Sequence, residues 1–214
     1  LDIKIRGRIQ GVGFRPFIYR LASEYNLYGW VNNQTSHVKI HVEGKKTNVD
    51  SFVRDITEKA PSISVIDHLA TSISEFKAFE DFSIIPSVDS SDTVTEVSPD
   101  LAVCDECMED IDFTGRRKDY SFTNCTNCGP RLSIVESLPY DRPYTTMKSF
   151  RMCPECMEEY ESPANRRFHA QPNSCSLCGP YYTMTIKSKT ITDIKEILKE
   201  CSRIIQNGGT LAIK

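Results

Sequence analysis

An α+β fold is predicted: a split β-α-β domain followed by a small duplicated module held by metal. Three features of the 214-residue sequence carry that prediction. Residues 1–86 alternate short β-patterned runs with two helical ones. Nine cysteines are present, none before residue 104. Eight of them fall in four C-x-x-C pairs, inside a segment that repeats itself.

The first domain reads in order. "DIKIR" alternates as a strand. The turn "GRIQGVGFRPFIYR", residues 7–20, then runs into a helix from Arg15 to Tyr25, with Pro16 suited to its first turn. Glycines in such a turn let backbone N–H groups approach a ligand closely. A helix N-terminus attracts anions, and Arg15 adds a planar guanidinium suited to phosphate oxygens. The competing reading is a tight strand-to-helix turn whose glycines only satisfy geometry. "LYGWVNN" and "HVKIHVEG" read as two strands joined by "QTS". "NVDSFVRDITEKA" is a helix with Val49, Phe52, Val53 and Ile56 on one face. "SISVIDHLAT" and "DFSIIP" are further strands. The order β-α-β-β-α-β is the ferredoxin-like arrangement. "PSVDSSDT", residues 86–93, reads as a linker.

Residues 104–180 form an internal repeat. "CDECMEDIDFTGRRKDYSFTNCTNCGP" aligns with "CPECMEEYESPANRRFHAQPNSCSLCGP" at an offset of 49 to 50 residues. Close cysteine pairs in a leaderless chain read as zinc ligands and not as disulfides. Two C-x-x-C turns separated by 17 or 18 residues complete one four-sulfur site. Sequential pairing gives Cys104, Cys107, Cys125 and Cys128 for one zinc and Cys153, Cys156, Cys175 and Cys178 for a second. Interleaved pairing satisfies the same count, and the duplication favours the sequential scheme. Iron–sulfur and redox roles compete with zinc. Four thiolates leave no open position, so both zincs should be structural. Few large apolar residues lie inside each repeat, so metal should stand in for a core.

His169 is a spare ligand or a packed histidine. Cys201 sits on an apolar helical stripe and reads as a small buried hydrophobe. The pairs Arg116-Arg117 and Arg166-Arg167 read either as contacts to an anion or a neighbouring domain, or as solvated basic turns. "TDIKEILKECSRIIQNGG" is an amphipathic helix stopped by Gly208-Gly209, and "TLAIK" reads as a strand. That final strand, together with Leu1 in place of Met, predicts a fragment of a longer chain.

The balance of 26 basic against 29 acidic residues argues against a polyanion-binding protein. No apolar run approaches the roughly 20 residues of a membrane span. No signal peptide is visible, so a cytoplasmic setting without a membrane partner is expected.

A "QGVGFR" loop followed, after one helix, by "GWVNN" resembles the acylphosphatase family over roughly residues 1–88. That resemblance implies a phosphate cradle made by Gln10, Gly11, Val12, Gly13, Phe14 and Arg15. It also implies that Arg15 and Asn33 are catalytic, Asn33 positioning the attacking water. Asn32 and Gln34 stand where that family often has arginine and threonine. "NCGPRLSIVESLPYDRPYTTMKSFRMCPEC" and "RRFHAQPNSCSLCGP" resemble the zinc-finger region of the HypF family of hydrogenase-maturation carbamoyltransferases. The closing helix and "GGTLAIK" resemble the start of that family's YrdC-like α/β domain.

The implied organisation is an acylphosphatase-like domain at 1–88, a tandem C4 zinc-finger domain at 89–182 and the start of a YrdC-like domain at 183–214. The implied chemistry is hydrolysis of carbamoyl phosphate to carbamate and phosphate. In the longer enzyme, carbamate and ATP then form carbamoyl adenylate. The carbamoyl group finally passes to the C-terminal cysteine of HypE, as precursor of the cyanide ligand of NiFe hydrogenase. Only the first step has its residues in this chain, so ATP is expected to serve the longer enzyme alone. The fingers are expected to act as a rigid spacer. The alternative is a zinc-finger module for nucleic acid or a protein partner, joined to an inactive phosphate-binding domain. The overall acidity counts against nucleic acid.

Overall fold

The computed structural model describes residues 1–34, 36–87, 99–113 and 115–213. It divides into two compact units, Leu1–Gly179 and Pro180–Lys214. The expected segments 1–88 and 89–182 share the first unit, apart from its last residues. Their boundary, like most of the expected 86–93 linker, lies outside the described residues.

The first unit opens with strand β1 (Asp2–Arg8), helix α1 (Phe14–Glu24), strands β2 (Tyr28–Asn33) and β3 (Val38–Glu43), helix α2 (Lys46–Glu58) and strands β4 (Val65–Ser72) and β5 (Phe82–Ile84). They build one sheet in the order β4-β1-β3-β2-β5. The first four strands pair antiparallel, and β5 joins β2 in parallel as an added edge. Alternation in β1 sends Ile3 and Ile5 inward, where both are fully buried. Phe52 and Ile56 of α2 pack there against Ile18 of α1 and Ile40 of β3, with Val49 and Val53 at the margin. This core draws only on residues up to Ile84, so the sheet domain has its own apolar centre. A register shift between Arg6 and Gly7 bends the end of β1 before the glycine turn.

The cysteine modules contribute helices α3 (Asp105–Asp112) and α4 (Pro154–Glu161). Each begins directly after the first cysteine of its module, Cys104 or Cys153, which takes the N-cap position. The core here is sulfur: Cys107, Cys125 and Cys128 are buried, with Val103 and Cys104 against them. Metal ligation thus replaces an apolar centre, as the sparse hydrophobicity of the repeats predicts.

The second unit holds a hairpin of β6 (Met184–Ile186) and β7 (Lys189–Ile191), then helix α5 (Ile194–Gln206). Asp193 caps α5 by accepting a hydrogen bond from the Glu196 N–H at 2.8 Å. Leu198 and Ile205 on the apolar stripe are exposed. One element is additional to the expected ones, and one expectation needs correction. The "MTIKSKTI" hairpin is a strand pair that the sequence reading passed over. "TLAIK" is not a strand over its described residues 210–213. A strand exists through its ladder, and no described segment pairs with this one.

Candidate functional site

The glycine turn joins β1 to α1. Gly11 and Gly13 adopt φ of 73° and 72°, the left-handed region where a Cβ is costly. Gly13 is the N-cap residue of α1, so the first N–H groups of the helix face the turn. Asn33 ends strand β2, one strand removed from β1 across β3. Arg15 and Asn33 nevertheless line one cleft, as the sequence motifs require.

The cradle is covered in part by the cysteine modules. Arg15 is buried, and its Nη2 donates to Asp141 Oδ1 at 2.5 Å and to the Tyr140 carbonyl at 3.5 Å. Its Nη1 donates to Ser87 Oγ at 3.3 Å, and Ser87 donates in turn to Asp141. The Tyr140 N–H donates to Gln10 Oε1 at 3.0 Å, while Gln10 Nε2 donates to the Gln34 carbonyl at 2.8 Å. Gln10 is thus a brace for the turn. Asn32 Nδ2 donates to the Pro86 carbonyl at 3.3 Å, and Asn32 Oδ1 accepts from Gln34 Nε2 at 3.1 Å, so the two departures from the acylphosphatase pattern hold each other.

Residues 124–142 and 168–172 of the cysteine modules cover the turn. Arg15, Asn33, Asn124, Thr126, Tyr140 and His169 line a narrow cleft between them, with free space of about 20 Å³. A Cβ on Gly11 would lie 2.6 Å from Pro130 Cβ, and one on Gly13 would lie 3.0 Å from Thr126 Cβ. The Tyr19 ring of α1 packs edge-on against Phe168 at 5.2 Å. Beyond the expected spacer role, the modules are the roof of the cradle, because the glycines leave room for them to dock.

Among the described residues, the Asn33 carboxamide has no hydrogen-bond partner at either Nδ2 or Oδ1, although it is buried. Asn124 shares that condition. Leaving such groups unpaired costs about 1–3 kcal/mol each, and both residues line the cleft. His169 belongs to neither cysteine cluster. Its ring packs between Tyr160 and Phe168, at 5.0 and 4.7 Å. Burial, reinforced by the nearby Arg15 cation, lowers its pKa to about 4.

The eight paired cysteines form two tetrads, pairing sequentially: Cys104, Cys107, Cys125, Cys128 and Cys153, Cys156, Cys175, Cys178. Sulfur–sulfur separations run from 3.5 Å between Cys128 and Cys104 to 3.8 Å between Cys125 and Cys128. The second tetrad gives 3.6 to 3.8 Å. A tetrahedron with Zn–S bonds of about 2.3 Å has edges of about 3.8 Å, so both tetrads fit structural zinc.

The arginine pairs settle an open question. Arg116 and Arg117 belong to the first module but serve the second tetrad. Arg116 Nη1 donates to Cys153 Sγ at 3.4 Å and Cys156 Sγ at 3.1 Å. Arg117 reaches Cys156 Sγ at 3.6 Å, Glu159 and the Ser174 carbonyl. Arg166 and Arg167 of the second module return the favour, reaching Cys107 Sγ and Asp110. Burial works to raise the Asp110 pKa, but the two guanidinium groups prevail and hold it below the usual carboxylate value. Zinc with four thiolates carries about two negative charges, and two arginines offset them. The solvated-turn reading is overturned, since Arg117 and Arg167 are buried between the modules.

Comparison with known proteins follows the same division. The acylphosphatase family model matches residues 1–84, and the HypF finger model matches residues 103–135 and 152–185. The carbamoyltransferase HypF of Rhodobacter capsulatus is 44% identical over 178 residues, 83% of this chain and 24% of its own. The chain belongs to the HypF family. The probable carbamoyltransferase HypF of Methanocaldococcus jannaschii is 47% identical over 143 residues, 65% of this chain and 19% of its own. A crystal structure of full-length HypF in the phosphate- and nucleotide-bound form superposes with a TM-score of 0.83 at 43% identity, covering 94% of this chain and 27% of that one. The acylphosphatase of Leuconostoc mesenteroides is 37% identical over 86 residues, 39% of this chain and 94% of that enzyme. The chain thus spans about a quarter of the length of the HypF relatives it matches and carries their acylphosphatase and finger regions. No helix among the described residues is long and apolar enough to cross a membrane.

Asp141, Tyr140 and Asn124 are site residues that sequence reasoning missed. A signal existed for Asn124 alone: the second repeat carries Ser174 at the matching place.

Proposed function

We propose that this chain hydrolyses carbamoyl phosphate to carbamate and phosphate at the roofed cradle, as the first step of a HypF-type carbamoyl transfer. The observation that carries the reading is the buried, unpartnered Asn33 carboxamide in one cleft with the Arg15 guanidinium. The turn N–H groups and Arg15 hold the phosphoryl oxygens and stabilise charge as it develops. Asn33 holds a water in line with phosphorus, which lowers the entropic barrier. The water oxygen bonds to phosphorus, the bond from phosphorus to the carbamoyl oxygen breaks, and carbamate leaves with the electron pair. The proton of the water passes to a phosphate oxygen. No side-chain nucleophile is required.

Carbamate and ATP would then give carbamoyl adenylate and pyrophosphate, and the carbamoyl group would pass to HypE with release of AMP, at other parts of the longer cytoplasmic enzyme. Residues 183–214 are read as the opening of its YrdC-like domain, consistent with the exposed apolar stripe of α5. The zincs hold the roof. The paired arginines of the fingers contact thiolates and carboxylates of the opposite module, which leaves them less available to a polyanion and supports the hydrolase reading over a nucleic-acid module.

Phosphate release from carbamoyl phosphate and acetyl phosphate tests the proposal. Asn33→Ala should cut kcat on the order of 10²-fold while inorganic phosphate affinity holds. Because the carboxamide has no partner, the same change should not lower the melting temperature. Full activity in Asn33→Ala would remove the assigned role.

A further inference from the structure

We propose that Asn124, supplied by the first cysteine module, recognises the acyl group of the substrate and selects carbamoyl over acetyl. This rests on the acyl phosphate reading above and adds to it the source of selectivity.

The duplication provides an internal control. Asn124 and Ser174 each precede the second C-x-x-C of their module, and both are buried. Their backbones do the same work. The Asn124 carbonyl accepts from Arg167 Nε at 3.2 Å, and the Ser174 carbonyl accepts from Arg117 Nε at 3.0 Å. Their side chains differ. Ser174 Oγ is paired with Tyr120 OH at 3.1 Å and donates to the Pro172 carbonyl at 3.3 Å. Asn124 Nδ2 and Oδ1 have no partner among the described residues. The module fold therefore asks only for the backbone carbonyl at this position, and the carboxamide is surplus to it.

That surplus group lines the cleft that holds Arg15 and Asn33. With phosphate on the turn, an acyl group directed into the cleft would meet Asn124, which lines it together with Arg15 and Asn33. A carboxamide offers one carbonyl acceptor and an NH₂ donor. A carbamoyl group offers the same pair and can answer it head to tail. Asn124 Nδ2–H would donate to the carbamoyl oxygen, and Asn124 Oδ1 would accept from the carbamoyl NH₂. Acetyl phosphate puts a methyl group where the NH₂ would be, leaving Oδ1 buried and unpaired. A site built to bond an N–H discriminates against the analogue that lacks it.

The test is kcat/KM of the zinc-loaded chain for carbamoyl phosphate and acetyl phosphate, in the parent, in Asn124→Ser and in Asn124→Ala. Serine is the residue that the second module carries at the matching place. Both variants should lose more on carbamoyl phosphate than on acetyl phosphate, so that the carbamoyl-to-acetyl ratio falls on the order of tenfold. Both should retain two zinc ions and a melting temperature at or above that of the parent. An unchanged ratio with zinc retained overturns the inference and leaves the hydrolase reading standing. Loss of zinc or a lowered melting temperature in both variants makes Asn124 structural and also overturns it. A parent chain inactive on both substrates fails the hydrolase reading itself, and this inference with it.

Discussion

Arg15 of the cradle and Asp141 of the cysteine modules form an ion pair across 126 residues of sequence, Nη2 to Oδ1 at 2.5 Å, with both side chains mostly withdrawn from water. The proposed phosphate-binding cation is thus held by the roof before any ligand arrives. Asp141→Ala strands a buried guanidinium and should cost about 3 kcal/mol. An anion in the cleft should then replace the lost partner. Inorganic phosphate is therefore expected to raise the melting temperature of this variant by more than it raises that of the parent. Equal shifts in the two proteins would contradict it.

Gly11 joins the same two regions by steric fit. Alanine there meets φ of 73° and a Cβ contact of 2.6 Å to Pro130. The left-handed backbone alone costs about 1–2 kcal/mol, and the contact forces the roof away. We expect Gly11→Ala to lower the denaturation midpoint and to speed proteolysis within 99–179. A variant with parental stability and digestion would show that the modules do not press on the turn.

The exchanged arginines predict a crossed effect on metal. Arg117 lies in the first module, yet it donates to Cys156 Sγ of the second tetrad. Partners of metal ligands typically carry 10- to 100-fold in affinity. Arg117→Met should leave two zinc ions per chain at rest, with one released about 10-fold faster into a chelator. Placing Cys153→Ser in the same background should abolish that fast phase. A fast phase that persists would place the effect at the first tetrad.

His169 predicts an acid-side loss of stability. Its native pKa is lowered to about 4, by burial first and then by Arg15, against an unfolded value near 6.5. Below pH 6.5 the unfolded chain binds a proton that the native one refuses until about pH 4. Stability from this group is therefore full above pH 6.5 and falls as pH drops towards 4, by at most about 3 kcal/mol. Denaturant titrations at pH 7 and pH 4.5 should show a smaller difference in His169→Gln than in the parent. The same slope in both would assign the acid loss to other groups.

Sequence alone determined the elements whose information is local. Alternation and 3.6-residue periodicity mark β1 to β4 and both helices of the sheet domain, since each needs only its own neighbours to declare a buried face. The tetrads are equally legible, because two C-x-x-C turns must bring their sulfurs to one ion. The cradle could be read as a motif for the same reason. What only the tertiary structure decided are contacts between distant segments. Nothing near Arg15 announces Asp141, and nothing near Arg117 announces Cys156, because each pair meets only when separately folded pieces dock. The roof over the cradle went unread for that reason, and the "TLAIK" strand failed because a ladder partner is never encoded in the strand itself. Asn124 lies between the two cases. The repeat shows in sequence that it differs from Ser174, but only packing shows that Ser174 is satisfied while Asn124 faces the cleft unpaired.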